Sequence, residues 1–400
     1  MASVVDTTVK NFNSTMSGAP SLPGVSGALV SLFDAVLVNG FDVKTATGLT
    51  VAGGVASMPF SGSHSAQLDT VISIAGITGT YASLNGEQKV TAVAAGVVRF
   101  ATSLPDGAAS GTITFKMAPA GWEKVYSGTS KAVYRSLDPA STKMLLRVDD
   151  TGAQVARVVG YEAMSDVDTG VGVFPTAAQI AGGGYWSKST QASSAAVGWN
   201  LVADSRTFYL SVRAGMADGV NNQMAPLRGF GDAIALRPSG DAYSAFLGYG
   251  TSSSPAVADG CLGNNASVQV ASPRAYTGLG SGVTQSAQIW GLGNQIAHYS
   301  GVTDIHGAFP NPVDGALYLS KKLLSQGGNT SPRSELPGLY ALTQSGAWGT
   351  FKAGDKVPGS GPLAGRTLVA VTCFGSGSMA SSSNQFNTGV VMLDVTGPWR

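Results

Sequence analysis

Cysteine, histidine and charge are all scarce in this chain, and each scarcity excludes something. There are 2 Cys and 3 His in 400 residues. Cys261 and Cys373 lie far apart, and no nearby His pair completes a zinc site with them. Cys373 falls in the apolar run Leu368–Phe374 and reads as a small buried hydrophobe. The sequence does not argue for a bridge between the two, and the low count suits a protein made in a reducing cytosol. Charged residues make up 12% of the chain and the formal net charge is +1. No basic excess points to nucleic acid, and no acidic excess points to a polyanionic tail. Apolar runs stay short of the roughly 18 residues that a membrane-crossing helix needs. Met1–Met16 lacks the basic start and apolar run of a secretory signal, so a cytosolically made, non-exported protein is expected.

Catalytic hardware is equally thin. No H-E-x-x-H, no G-x-S-x-G nucleophile elbow and no P-loop is present. His64, His298 and His306, with Asp304 near the last two, read as ordinary loop histidines. Asp166-Val-Asp168-Thr-Gly170 begins like a calcium loop. Its sixth position is Val171 where Gly is required, and its twelfth is Ala177 where Glu should chelate, so a turn is expected. Asp149-Asp150 precedes Thr-Gly and starts a turn after the strand 143–148. Gly375-Ser-Gly377-Ser-Met-Ala380 follows a strand but is followed by Ser-Ser-Ser-Asn, with no helix to hold a pyrophosphate. No cofactor and no metal are expected.

What is abundant is glycine, 54 residues, with 44% apolar residues and aromatics along most of the chain. That combination describes a folded, loop-rich β protein. Residues 1–25 read as an extended arm. Leu29, Leu32, Phe33, Val36 and Leu37 then follow the i, i+3, i+4, i+7, i+8 pattern of a helix, with Ser26 as N-cap and Asn39-Gly40 as the stop. From 45 to 118 strands at Val71–Ile74, Lys89–Val93, Val97–Phe100 and Thr112–Met117 alternate with Gly-Gly, Asn-Gly and Asp-Gly turns, the pattern of a small β-sandwich. Further strands are predicted at 143–148, 154–161, 207–213, 242–249, 368–374 and 390–395. The stretches 187–198, 250–256 and 375–384 read as long loops.

The fold class is therefore all-β. The expected parts are an arm and short helix over 1–44, a β-sandwich over 45–118, and a larger irregular region over 119–400. That last region is sandwich- or barrel-like, with room for two subdomains.

Trp122, Lys124, Tyr126, Lys131, Tyr134 and Arg135 interleave aromatic and basic side chains. Such a set grips a sugar or a partner, or else forms a strand pair with basic chains lying along one face. Trp122, Tyr126, Tyr134, Arg135 and Trp186 are the candidate contact residues. Trp186, Trp290 and Trp348 are candidate stacking platforms for a glycan.

Several stretches together resemble tailed-bacteriophage structural proteins. These are Phe12–Gly18 and Leu32–Phe41 near the start, Gly121-Trp122-Glu123-Lys124, Glu335–Tyr340, and the closing Asp394–Arg400. Residues 48–118, with Gly53-Gly54-Val55-Ala56, Val71–Gly76, Leu84-Asn85-Gly86 and Gly111–Thr114, resemble an Ig-like module of such proteins. The resemblance implies a non-enzymatic virion component, of tail, baseplate or tail tip before head. Its partners would be copies of itself and other virion proteins, with a host surface receptor as a further candidate. It carries over no catalytic residue. The arm and the Trp399-Arg400 end would then be free to be ordered by neighbouring copies. A glycan-binding virion protein, a head decoration or connector, and a polysaccharide-degrading enzyme in the same particle are the alternatives.

Overall fold

A computed structural model describes residues 3–218, 225–257, 259–263, 267–289, 307–326, 332–344, 346–373 and 390–400. The chain is mostly strand, as expected, arranged as three main sheets around one short helical segment.

Residues 41–117 hold all eight strands of one antiparallel sheet. The strand Gly86–Ala94 belongs to both of its halves. Its first part pairs with Val71–Ala75 and its last part with Val97–Ala101, with a register shift between Val90 and Ala92 on the latter side. A bulge of this kind bends a strand so that it can pass from one layer to the next. The layers close over Val51, Met58, Ile72, Ile74, Val98, Phe100 and Phe115, all buried. The segment is all-β, as expected. Its continuous strand order differs from the two separate sheets of an Ig domain.

The region after 119 contains a five-stranded antiparallel sheet and a much larger one. The five-stranded sheet runs Trp122–Gly128, Lys131–Ser136, Leu145–Asp149, Val155–Tyr161 and Gly184–Ser187, each strand beside the next. In the large sheet, Leu227–Asp232 pairs with Ala245–Gly248. Pairing continues through Ser267–Ser272, Val283–Ile289 and Leu319–Gln326 to Pro332–Leu342. Ile234–Ala235, directly after the first of these strands, pairs back onto Ser334 and Glu335. The six strands therefore close into a ring, and closure leaves no open edge among them. Two flaps leave this ring. One is Thr207–Arg213, Ala196–Ala203 and Lys10–Asn13; the other is Val390–Asp394, Thr367–Thr372 and Lys356–Pro358.

Thr207–Arg213 separates two cores. Its alternation is as predicted, but both faces are buried. Phe208, Leu210 and Val212 enter one apolar cluster, and Tyr209 enters another with Phe246, Leu262 and Trp399.

The N-terminal segment is not a loose arm. Lys10–Asn13 forms a ladder with Asn200–Ala203, and Phe12 is fully buried against Phe41. Pairing satisfies the backbone groups that the two strands turn toward each other, and the Phe12 ring anchors the contact. The C-terminus is likewise built in. The Trp399 indole donates to Asp394 O at 2.9 Å and packs over Gly338, where a Cβ would come within 2.3 Å of the ring. Arg400 pairs with Asp204 at 3.2 Å. Lys10–Asn13 and Trp399-Arg400 are thus held by contacts within this chain.

The predicted helix is present as Ala28–Phe33 followed by a wider π-helical turn over Asp34–Asn39, ending at Gly40 with φ +72°. It lies between the five-stranded sheet and the large one. Phe33 touches Tyr134 at 5.6 Å, Trp186 at 6.0 Å and Phe208 at 5.3 Å between ring centroids. Ser26 is not its cap. The Asp150 carboxylate, 121 residues away in sequence, accepts from Leu29 N–H at 2.7 Å and from Val30 N–H at 3.3 Å. Asp150 is paired in turn with Lys188, and both side chains are wholly buried. The Lys188 ammonium also donates to Val25 O and Gly152 O, each at 2.7 Å. The predicted loop 187–198 therefore contains a core residue, and only 188–195 lies between strands.

Candidate functional site

The structure does not gather the candidate contact residues into an outward-facing site. Trp122, Tyr134 and Trp186 are buried. The Trp122 indole donates to Asp204 O at 3.2 Å and that of Trp186 to Gly248 O at 2.8 Å. Both rings pack on Phe208, so they are core anchors and not platforms for a ligand. A buried indole needs one acceptor for its N–H, and each has found a backbone carbonyl. The Tyr134 hydroxyl donates to Asp34 at 2.9 Å, and burial, with the Asp34 charge next, raises its pKa well above the usual value. Tyr126 is half-buried and donates to Met164 O at 2.9 Å. Arg135 forks onto Glu123 Oε1 at 2.9 and 2.8 Å. Lys124 pairs with Asp34 at 2.6 Å, and Lys131 with Asp168 at 2.9 Å. The aromatic and basic interleaving is thus a strand pair whose apolar face joins the core and whose basic chains are matched by local carboxylates. Trp290, His298, Asp304, His306 and the segment 375–384 lie outside the described residues, as does the side chain of Trp348.

The carboxylate motifs are turns, as read. Asp166 Oδ1 accepts from Asp168 N–H at 2.8 Å and Thr169 N–H at 2.9 Å. Asp149 Oδ1 accepts from the Thr151 hydroxyl at 2.7 Å. Among the described residues no group of three or more His, Cys, Asp and Glu is placed to hold a metal ion. No described helix is long and apolar enough to cross a membrane.

His64 is a structural residue. Its Nδ1 accepts from Ala66 N–H at 2.8 Å, so Nε2 carries the proton and donates to Asp42 O at 3.0 Å. Burial holds the imidazole below its ordinary value of 6.5, against the opposing pull of Asp42. The unfolded chain therefore takes up a proton near pH 6.5 that the folded chain refuses until lower pH. Stability is expected to fall as pH drops through this window. His64→Gln should remove that part of the slope in thermal melts between about pH 5 and 8. An unchanged slope would mean that His64 does not titrate differently on folding.

One outward-facing concavity has the make-up of a binding site. It is a groove of about 380 Å³ between Leu317–Lys321, Tyr340 and the turn 358–363. Leu363 and Leu368 supply apolar surface, and Tyr318 and Tyr340 supply rings. The Tyr318 hydroxyl donates to Asp314 at 2.7 Å, and Lys321 pairs with Glu335 at 2.8 Å. Burial, aided by Asp394 and Glu335, pushes the Tyr340 hydroxyl up to about 12, so it is a neutral hydrogen-bonding group at neutral pH. Among the described residues of the lining, Asp314 is the one carboxylate. Rings, apolar side chains and hydrogen-bonding groups together give this groove the chemistry to bind a ring.

Sequence reasoning missed this groove. Its lining comes from segments well apart in the chain, and only Tyr340 and Leu368 stand in stretches singled out beforehand.

Compared with known proteins, the chain matches no family model and no curated protein.

Proposed function

We propose that the chain is a non-enzymatic structural component of a tailed-phage particle, of the tail, baseplate or tail tip, acting through interfaces with copies of itself and with other virion proteins. The observation that carries this reading is where the phage-like stretches lie. They serve as joints of the scaffold. Phe12 of the opening stretch packs on Phe41. Gly338 of the Glu335–Tyr340 stretch makes room for Trp399 of the closing one. Trp122 and Arg400 meet at Asp204, the first through its backbone carbonyl and the second through its carboxylate. Motifs that hold sheets together suit a part whose work is shape.

The groove between Tyr318 and Tyr340 favours a second reading, a receptor- or glycan-binding virion protein. A tyrosine ring beside hydrogen-bonding groups offers a sugar an apolar face and polar contacts together.

Gold-labelled antibody on purified virions, viewed by negative-stain electron microscopy, tests both readings. Label at the tail or its tip is the expected result. Label on the head keeps the structural class and changes the position. No label on intact or disrupted particles overturns the proposal. The second reading further expects the purified chain to retain host surface glycans and Tyr340→Ala to lose them. Equal retention by both would remove the groove from consideration.

A further inference from the structure

The two cysteines, far apart in sequence, meet inside the large sheet. Cys261 sits in the turn that lies over Leu227–Asp232 and Ala245–Gly248, where Leu262 rests on Gly229 and Gly248. Cys373 directly follows the strand Thr367–Thr372. Both sulfurs crowd the α-carbon of Gly263. A Cβ built there would stand 3.3 Å from Cys261 Sγ, while that of Cys373 is nearer still at 2.4 Å. The Cys261 sulfur accepts from Leu227 N–H at 3.1 Å, from Gly263 N–H and from the Cys373 thiol. Two cations, Arg228 and Lys322, both buried, act on this sulfur, and Lys322 also acts on Cys373.

We propose that Cys261 and Cys373 close into a disulfide when the protein meets a peroxide, pinning the 261–263 turn to the end of the strand Thr367–Thr372. Burial alone would push the Cys261 thiol up. The Cys373 S–H, the Arg228 charge and the two backbone N–H groups outweigh it and hold the thiol below its ordinary value. A thiol held below its ordinary value has a larger thiolate fraction, the form that attacks oxidants. The Cys261 sulfur attacks one peroxide oxygen. The S–O bond forms as the O–O bond breaks, and the departing hydroxide takes a proton to become water. The Cys373 sulfur then attacks the resulting sulfenic sulfur, and the S–S bond forms as the S–O bond breaks. The second hydroxide leaves with the Cys373 proton as water. Two thiols and one hydrogen peroxide thus give one disulfide and two waters. The hydrogen bond between the two side chains places the resolving thiol where the second step needs it. This inference is independent of the particle reading, because it concerns the purified chain alone.

The test is hydrogen peroxide added to the folded, full-length protein, followed by catalase, denaturation and alkylation. Intact mass is expected to fall by two hydrogens, with neither cysteine alkylated. A non-reducing peptide map should yield one linked pair carrying Cys261 and Cys373, and a reductant should restore both thiols. The bridged form should also melt at a higher temperature than the reduced one. In Cys373→Ser, dimedone should trap a sulfenic acid at Cys261, while Cys261→Ser should leave Cys373 unlabelled. Full alkylation of both cysteines after peroxide would overturn the proposal, as would sulfinic acid at Cys261 with Cys373 still alkylated. The wild-type result stands even where a variant does not fold.

Discussion

Lys188→Met is expected to destabilise the protein by about 3–5 kcal/mol, because it leaves the buried Asp150 carboxylate without its counter-charge. Burial opposes both charges of this pair. It raises the Asp150 pKa and lowers that of Lys188, in each case against the opposing pull of the partner charge. Removing Lys188 also strips Val25 O and Gly152 O of their donor. Asp150→Asn should cost less. An amide oxygen still accepts from Leu29 and Val30, and Lys188 keeps its two carbonyls. The double variant should recover part of the loss of Lys188→Met, since no lone buried charge remains. Urea denaturation of the four proteins decides this. A loss for Lys188→Met below about 1 kcal/mol would show the pair to be no more than a surface-type contact.

Phe33→Ala should cost about 3–5 kcal/mol, the range for deleting a fully buried aromatic ring. The ring is the meeting point of Tyr134 and Trp186 from one sheet and Phe208 from the other. Its loss leaves a cavity bounded by three rigid aromatics, which cannot easily collapse to fill it. The expected signature is a lower melting point with a changed near-ultraviolet circular dichroism spectrum, since the neighbouring aromatics lose their fixed packing. Phe33→Leu should cost clearly less. Equal losses for both would mean that the ring contacts are not what joins helix to sheets.

These two predictions share a feature that explains what was legible in the sequence. Phe33 was readable as a core residue from the spacing of Leu29, Leu32, Val36 and Leu37. Its partners were not, because Tyr134, Trp186 and Phe208 come from two different sheets. Asp150 was readable as a turn residue, and Asp149 does start that turn. Its service to Leu29 N–H was hidden, because a carboxylate reaching a helix end across 121 residues leaves no local pattern. Trp186 was misjudged as exposed for a related reason. A tryptophan in a Gly-rich stretch looks the same on a surface or in a core until the facing sheet is known.

The sequence by itself determined the strand periodicity, the glycine turns, the helix and its stop at Gly40, and the all-β class. Each depends on side-chain alternation or on backbone angles within a few residues. The tertiary structure alone decided that Ile234–Ala235 closes the six-stranded ring on Ser334 and Glu335, that Lys10–Asn13 pairs into the large sheet while Trp399 packs on Gly338, and that Cys261 and Cys373 meet. It also decided that Tyr318 and Tyr340 share a groove while Trp122 and Trp186 are buried. Such facts rest on contacts between segments far apart in the chain. A strand's pattern states which face is apolar but not which partner will cover it.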